Sequence, residues 1–132
     1  MFRKKAIQDV DTLDKHYFMY SEETDICYRL HQAGWKVFFN PGAEIIHYCG
    51  KSSATVNREA GFFNPVAKYL FDSKYYFFRK HYGYGHSLLP KLVDFVFYLM
   101  VLIRNLFRRD GSVCRSRLQL ASTVLLVNLF RR

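Results

Sequence analysis

Three carboxylates, Glu22, Glu23 and Asp25, fall within four positions in the run Ser21-Glu22-Glu23-Thr24-Asp25. A carboxylate held in a cleft within hydrogen-bond reach of a hydroxyl acts as a general base, taking the proton as the oxygen attacks an electrophilic carbon. Without a cleft, the same residues are solvated acids at the positive end of a helix. Further on, His47 sits in the apolar run Ala43 to Tyr48. A neutral imidazole there is a metal ligand or a structural side chain, and imidazole suits transition metals and zinc better than magnesium. Lys51, Arg58, Arg79 and Lys80 have the charge to neutralise a diphosphate, or are simply solvated cations.

Other chemistries find little support. Cys27, Cys49 and Cys114 have no metal-ligand spacing, and an odd count does not close a disulfide framework, so they read as reduced thiols. The basic start Met-Phe-Arg-Lys-Lys-Ala runs into Gln8, Asp9 and Asp11 rather than into an apolar core, which is not the pattern of a secretory signal. Asp9-Val10-Asp11 spells an Asp-x-Asp motif but follows no buried strand and reads as a turn.

The acidic run must be carried by a helix. From Ser21 to Gly34 apolar residues recur on one face at Ile26, Leu30 and Ala33, Ser21 can cap, and Gly34 supplies a left-handed stop. Asp25 and Arg29, four apart, are expected to form an exposed pair adding only about 0.3 to 0.5 kcal/mol. Trp35 to Phe39 and Ala43 to Tyr48 are β-rich runs around the turn residues Asn40-Pro41-Gly42, and predict two strands. Residues 50–57 are small and polar and read as a loop. Asn64-Pro65 begins a helix with Val66, Leu70, Ser73 and Phe77 on one face, ending near His81 to Gly83. Two more apolar stretches, Leu88 to Phe107 and Leu118 to Phe130, suggest a helical hairpin.

Charge separates the two halves. Residues 1 to 50 hold six Lys/Arg against seven Asp/Glu, while residues 51 to 132 hold fourteen against four. Nucleic acid is not expected as a partner, because no recognised motif accompanies the positive charge. Lys91, Asp94 and Arg104 interrupt the first apolar stretch, and a spanning helix needs roughly 20 predominantly apolar residues. With arginines flanking both stretches, the expectation is in-plane binding to an anionic membrane surface. The other reading is a helical core packed on further protein.

Taken in order, the stretch Phe18 to Trp35, with Glu22-Glu23-Thr24-Asp25 and Ala33-Gly34-Trp35, then Asn40-Pro41-Gly42 and His47-Tyr48-Cys49-Gly50-Lys51-Ser52, resembles family 2 glycosyltransferases, particularly rhamnosyltransferase-like members. Tyr75-Tyr76-Phe77-Phe78-Arg79-Lys80-His81-Tyr82-Gly83 resembles the tail of that family more loosely. The resemblance implies an α/β fold: residues 1–62 as a partial GT-A acceptor-side lobe, the carboxyl-terminal part of a catalytic domain, and residues 63–132 as a helical, membrane-associating tail. It implies inverting transfer of a sugar from a nucleotide-sugar donor to a glycan or lipid-linked acceptor in cell-surface polysaccharide synthesis, on the cytoplasmic face of a bacterial inner membrane. Glu23 takes the place of the catalytic base, where the family more often has Asp, with Glu22 beside it as the alternative and Asp25 in the same motif. His47 matches a histidine that helps hold a divalent metal, Mn or Mg, expected only with the donor-binding half. The alternative to an enzyme is a non-catalytic, membrane-associated remnant without that half.

Overall fold

A computed structural model describes residues 2–46, 65–106 and 111–130, and the elements among them are all helical. In chain order they are α1 (Lys4–Asp9), α2 (Glu22–Gln32), α3 (Pro65–Tyr82), α4 (Tyr84–Leu106) and α5 (Gly111–Phe130). The acidic run opens α2 as its periodicity predicts. Ser21, however, makes no side-chain cap: it lies in the left-handed region at φ 65°, directly after Tyr20 at φ 69°. Each such non-glycine residue costs about 1 to 2 kcal/mol. At the other end Gly34 is left-handed at φ 81°, and the amides of Gly34 and Trp35 bond back to His31 and Leu30.

The expected α/β lobe is not formed. No strand or sheet occurs among the described residues, and residues 35–46 run as irregular chain with one turn at 41–42. Branched and aromatic residues favour a strand because of what they pack against across and along a sheet. Here Phe39 is 90% exposed and Ile45 85%, so among the described residues neither has a partner to supply that packing. The described residues adopt a helical architecture instead. His47, with the rest of the second predicted strand and the predicted loop, lies outside the described residues.

Two small cores organise the helices. In the first, Ala6 of α1 packs with Ile26 and Leu30 of α2, flanked by Ile7, Val10, Cys27 and Trp35. In the second, Phe71 and Tyr75 of α3 meet Val124 and Val127 of α5, with Tyr98 of α4 and Leu120 beside them. The three carboxyl-terminal helices therefore pack on one another, α3 turning into α4 through Gly83 alone at φ 88°. Helix α3 joins the two cores. One face carries Ser73, whose hydroxyl donates to the Met19 carbonyl at 2.8 Å, and Phe77, edge-on to Tyr28. Phe71 and Tyr75 occupy the opposite face, toward α4 and α5.

Candidate functional site

The three acids of the run differ completely in surroundings. Asp25 is 0% exposed, Glu23 is exposed, and Glu22 is half-buried with an enclosed Oε2 that has no hydrogen-bond partner. The partners that approach each position explain the split. Asp25 lies one turn before Arg29, on the side where Lys80 and His81 approach, whereas Glu23, although in line with Ile26 and Leu30, belongs to the open first turn and stays exposed.

Burying a carboxylate is costly unless it is paired and hydrogen-bonded, and Asp25 has four partners. Its Oδ2 accepts from Arg29 Nε at 2.8 Å. Its Oδ1 accepts from Lys80 Nζ at 2.8 Å and Tyr17 OH at 3.2 Å, and lies 2.7 Å from His81 Nε2. Burial alone would raise its pKa, but the bonds from Lys80, His81 and Arg29 outweigh that and hold the carboxyl below the usual range. Tyr17 is pushed the other way, first by burial and then by the charge of Asp25, so its phenol stays protonated.

Lys80 ties a second carboxylate to the same point. Its ammonium donates to Asp14 Oδ2 at 2.8 Å, and Tyr76 OH donates to the same oxygen at 3.0 Å. Asp14 Oδ1 accepts the His16 amide at 2.9 Å and lies 2.8 Å from His16 Nδ1. Burial works against the charge on Asp14, yet the bonds from Lys80, His16 and Tyr76 prevail and hold its carboxyl far below the ordinary value. For Lys80, burial likewise opposes the charge, and Asp14 and Asp25 together raise its pKa.

Arg29 fixes the loop before α2. While its Nε holds Asp25, its Nη1 donates to the carbonyls of Val10 and Asp11 and its Nη2 to that of Thr12 at 2.7 Å. Asp9-Val10-Asp11 is thus the exit of α1, with Asp11 at φ 53°. His81 is enclosed by aromatic rings, with Tyr28 at 4.4 Å and Phe77 at 4.7 Å between centroids.

Sequence reading singled out the acidic run and, of its partners, only Arg29. Tyr17, Asp14 and His81 were not foreseen there, and Lys80 was considered only as a phosphate-neutralising cation, whereas it is ion-paired to two carboxylates. The one signal present was the order of the motifs, since Lys80 and His81 belong to the Tyr75 to Gly83 run that resembles the same family. The pair Asp25–Arg29 forms as spaced, but it is buried rather than exposed. No three His, Cys, Asp or Glu side chains gather in metal-binding geometry among the described residues. With Lys80 and Arg29 occupying the carboxylate of Asp25, these residues do not fit a divalent cation.

A stretch of 53 residues is 38% identical to N-acetylglucosaminyl-diphospho-decaprenol L-rhamnosyltransferase of Mycobacterium tuberculosis, in strains CDC 1551 and H37Rv alike. The similarity supports a glycosyltransferase relationship. It covers 40% of this chain and spans only 17% of the length of those relatives. No protein-family model matches the chain, and no solved structure matches it.

Proposed function

We propose that this chain contributes the acceptor-side element of a glycosyltransferase that moves a sugar from a nucleotide-sugar donor to a hydroxyl of a glycan or lipid-linked acceptor, with inversion. The observation that carries the reading is the sorting of the acidic run. Asp25 is consumed by Arg29, Lys80, His81 and Tyr17, which anchors α2 on α3 and leaves Glu23 exposed at the start of the helix. Glu23 then takes the acceptor hydroxyl proton as the oxygen attacks the anomeric carbon and the nucleotide diphosphate departs. Glu22 is the alternative base, and Asp25 is a positioning residue. A divalent ion needs ligands other than the described residues, so no step here runs through it. The relative's name specifies a diphospho-decaprenol acceptor, and together with the apolar carboxyl-terminal helices this supports action at the cytoplasmic face of a bacterial membrane.

The test is a chimera in which residues 14–81 of this chain, which hold the acidic run with its Lys80 and His81 partners, replace the corresponding segment of the mycobacterial rhamnosyltransferase. Sugar transfer from a nucleotide-rhamnose donor to a polyprenyl-diphosphate acceptor should persist. A folded chimera without transfer would contradict the reading.

A further inference from the structure

Helix α4 is turned inside out. Every exposed residue from Leu88 to Ile103 is apolar, including Leu89, Leu92, Val96, Phe97 and Met100. At 100° per residue these positions sweep about half of the helix circumference over about 23 Å of axis. The charged residues of that stretch are withdrawn from the surface. Asp94 is buried, accepting two bonds from Lys74 Nζ at 2.8 and 3.0 Å and one from Tyr75 OH at 3.0 Å. Lys91 is half-buried, its ammonium 5.5 Å from the centroid of the Tyr75 ring. Ser87 and Asn105 are buried as well. Of the three interruptions that the sequence counts against lipid contact, Lys91 and Asp94 therefore turn toward α3, and only Arg104 stays exposed, near the end of the helix.

A water-facing helix has the opposite distribution, polar outside and apolar within. We propose that the outer face of α4 is immersed in the acyl region of a lipid bilayer, with the helix lying in the membrane plane. By length and composition Tyr84–Asn105 suffices to cross a membrane, and its buried residues are Ser87, Asp94 and Asn105, all polar. Its neighbour decides the orientation. Helix α3 packs along α4 and bears Lys68, Asp72, Lys74, Arg79 and Lys80, which hydrocarbon does not admit together. With α3 on the inner side and the lipid face opposite, the charged helix and the acidic site above it remain in water. Exposed Tyr82 and Tyr84 at one end and Arg104 at the other suit the headgroup level. Among the described side chains of α5, Ala121, Thr123, Val124 and Val127 are buried and Leu126 is exposed. The proposed contact is carried by the outer face of α4, and it stands independently of sugar transfer.

Single tryptophans at Leu89, Val96 and Ile103, two turns apart on the same face, test the geometry in the full chain. Each variant is mixed with phosphatidylglycerol vesicles whose acyl chains are brominated at graded depths, and quenching beyond that of native Trp35 is recorded. In-plane immersion gives strong quenching at one common depth for all three positions. A gradient with Val96 deepest and the other two shallower means a spanning helix and overturns the proposal, as does no added quenching at any position, including the case where a second copy covers this face. In a separate arm, Val96→Glu with Met100→Glu, both at exposed sites, should lower vesicle binding by about tenfold or more at unchanged helicity. Unchanged binding there overturns it too.

Discussion

The Lys80 ammonium lies 2.8 Å from Asp25 Oδ1 and 2.8 Å from Asp14 Oδ2, bridging two carboxylates from a helix more than fifty residues away in sequence. It joins the acidic segment to α3, and every residue bonded to Asp25 helps set the position of the Glu22-Glu23 turn.

Asp25→Ala should destabilise the fold strongly. It leaves Lys80 and Arg29 without their shared buried counter-charge, a loss of about 3 to 5 kcal/mol for a broken buried pair. Lys80→Ala should cost less, since Arg29 and His81 still face Asp25. Urea denaturation of the two single variants and the double variant would give the coupling, expected at about 0.5 to 3 kcal/mol. Simple additivity would mean that the bridge contributes nothing.

Stability should form a plateau with two shoulders. Asp14 and Asp25 have lowered values in the fold, so their contribution is complete above the ordinary carboxylate value of about 3.9 and is lost as pH falls below it. Lys80 and Tyr17 have raised values, so theirs is complete below about pH 10 and is lost as pH rises beyond. Thermal melting should fall off at both limits, and Asp25→Asn should shrink the acid shoulder. An acid limb identical in that variant would contradict the assignment.

Gly83→Ala and Gly85→Ala should act in opposite directions although they are two residues apart. A Cβ at either glycine meets nothing within 4 Å, so crowding plays no part. Gly83 is held at φ 88°, where a side chain costs about 1 to 2 kcal/mol. Gly85 lies inside α4 at ordinary φ, where alanine gains up to about 1 kcal/mol. Melting temperatures of the two variants would show it.

Tyr75→Phe should loosen the three carboxyl-terminal helices. The hydroxyl donates to Asp94 and accepts from Asn128 Nδ2 at 2.9 Å, and Asn128 Oδ1 is already buried without a partner. Removing the oxygen should cost about 1 to 3 kcal/mol, because polar groups of low exposure lose a partner. Hydrogen exchange in α4 and α5 should rise accordingly.

Local periodicity made the helices legible. The repeat of Ile26 and Leu30 with the stop at Gly34 predicts α2 within two residues of either end, and the apolar stretches after Leu88 predict α4 and α5. Helices of that length carry their own hydrogen bonds, so the pattern suffices. Trp35 to Phe39 has the composition of a strand but no ladder partner among the described residues, which residue preference cannot reveal. Helix α1 is too short for a periodic signal. Spacing brought Asp25 and Arg29 together, but the burial of that pair depends on Lys80 and His81, a tertiary contact invisible in any local window. The continuous apolar outer side of α4 was obscured for the same reason, since only the fold shows Lys91 and Asp94 turned inward.

The proposal that Asp25 positions and Glu23 reacts is tested most directly by the turnover of the rhamnosyltransferase chimera carrying Glu23→Gln. Because Glu23 is exposed, the amide should keep the melting temperature while removing the proton acceptor. Turnover should fall by about 10²- to 10⁴-fold with donor affinity little changed. Sugar transfer at the full rate in that variant would contradict the account and shift the reaction to another carboxylate.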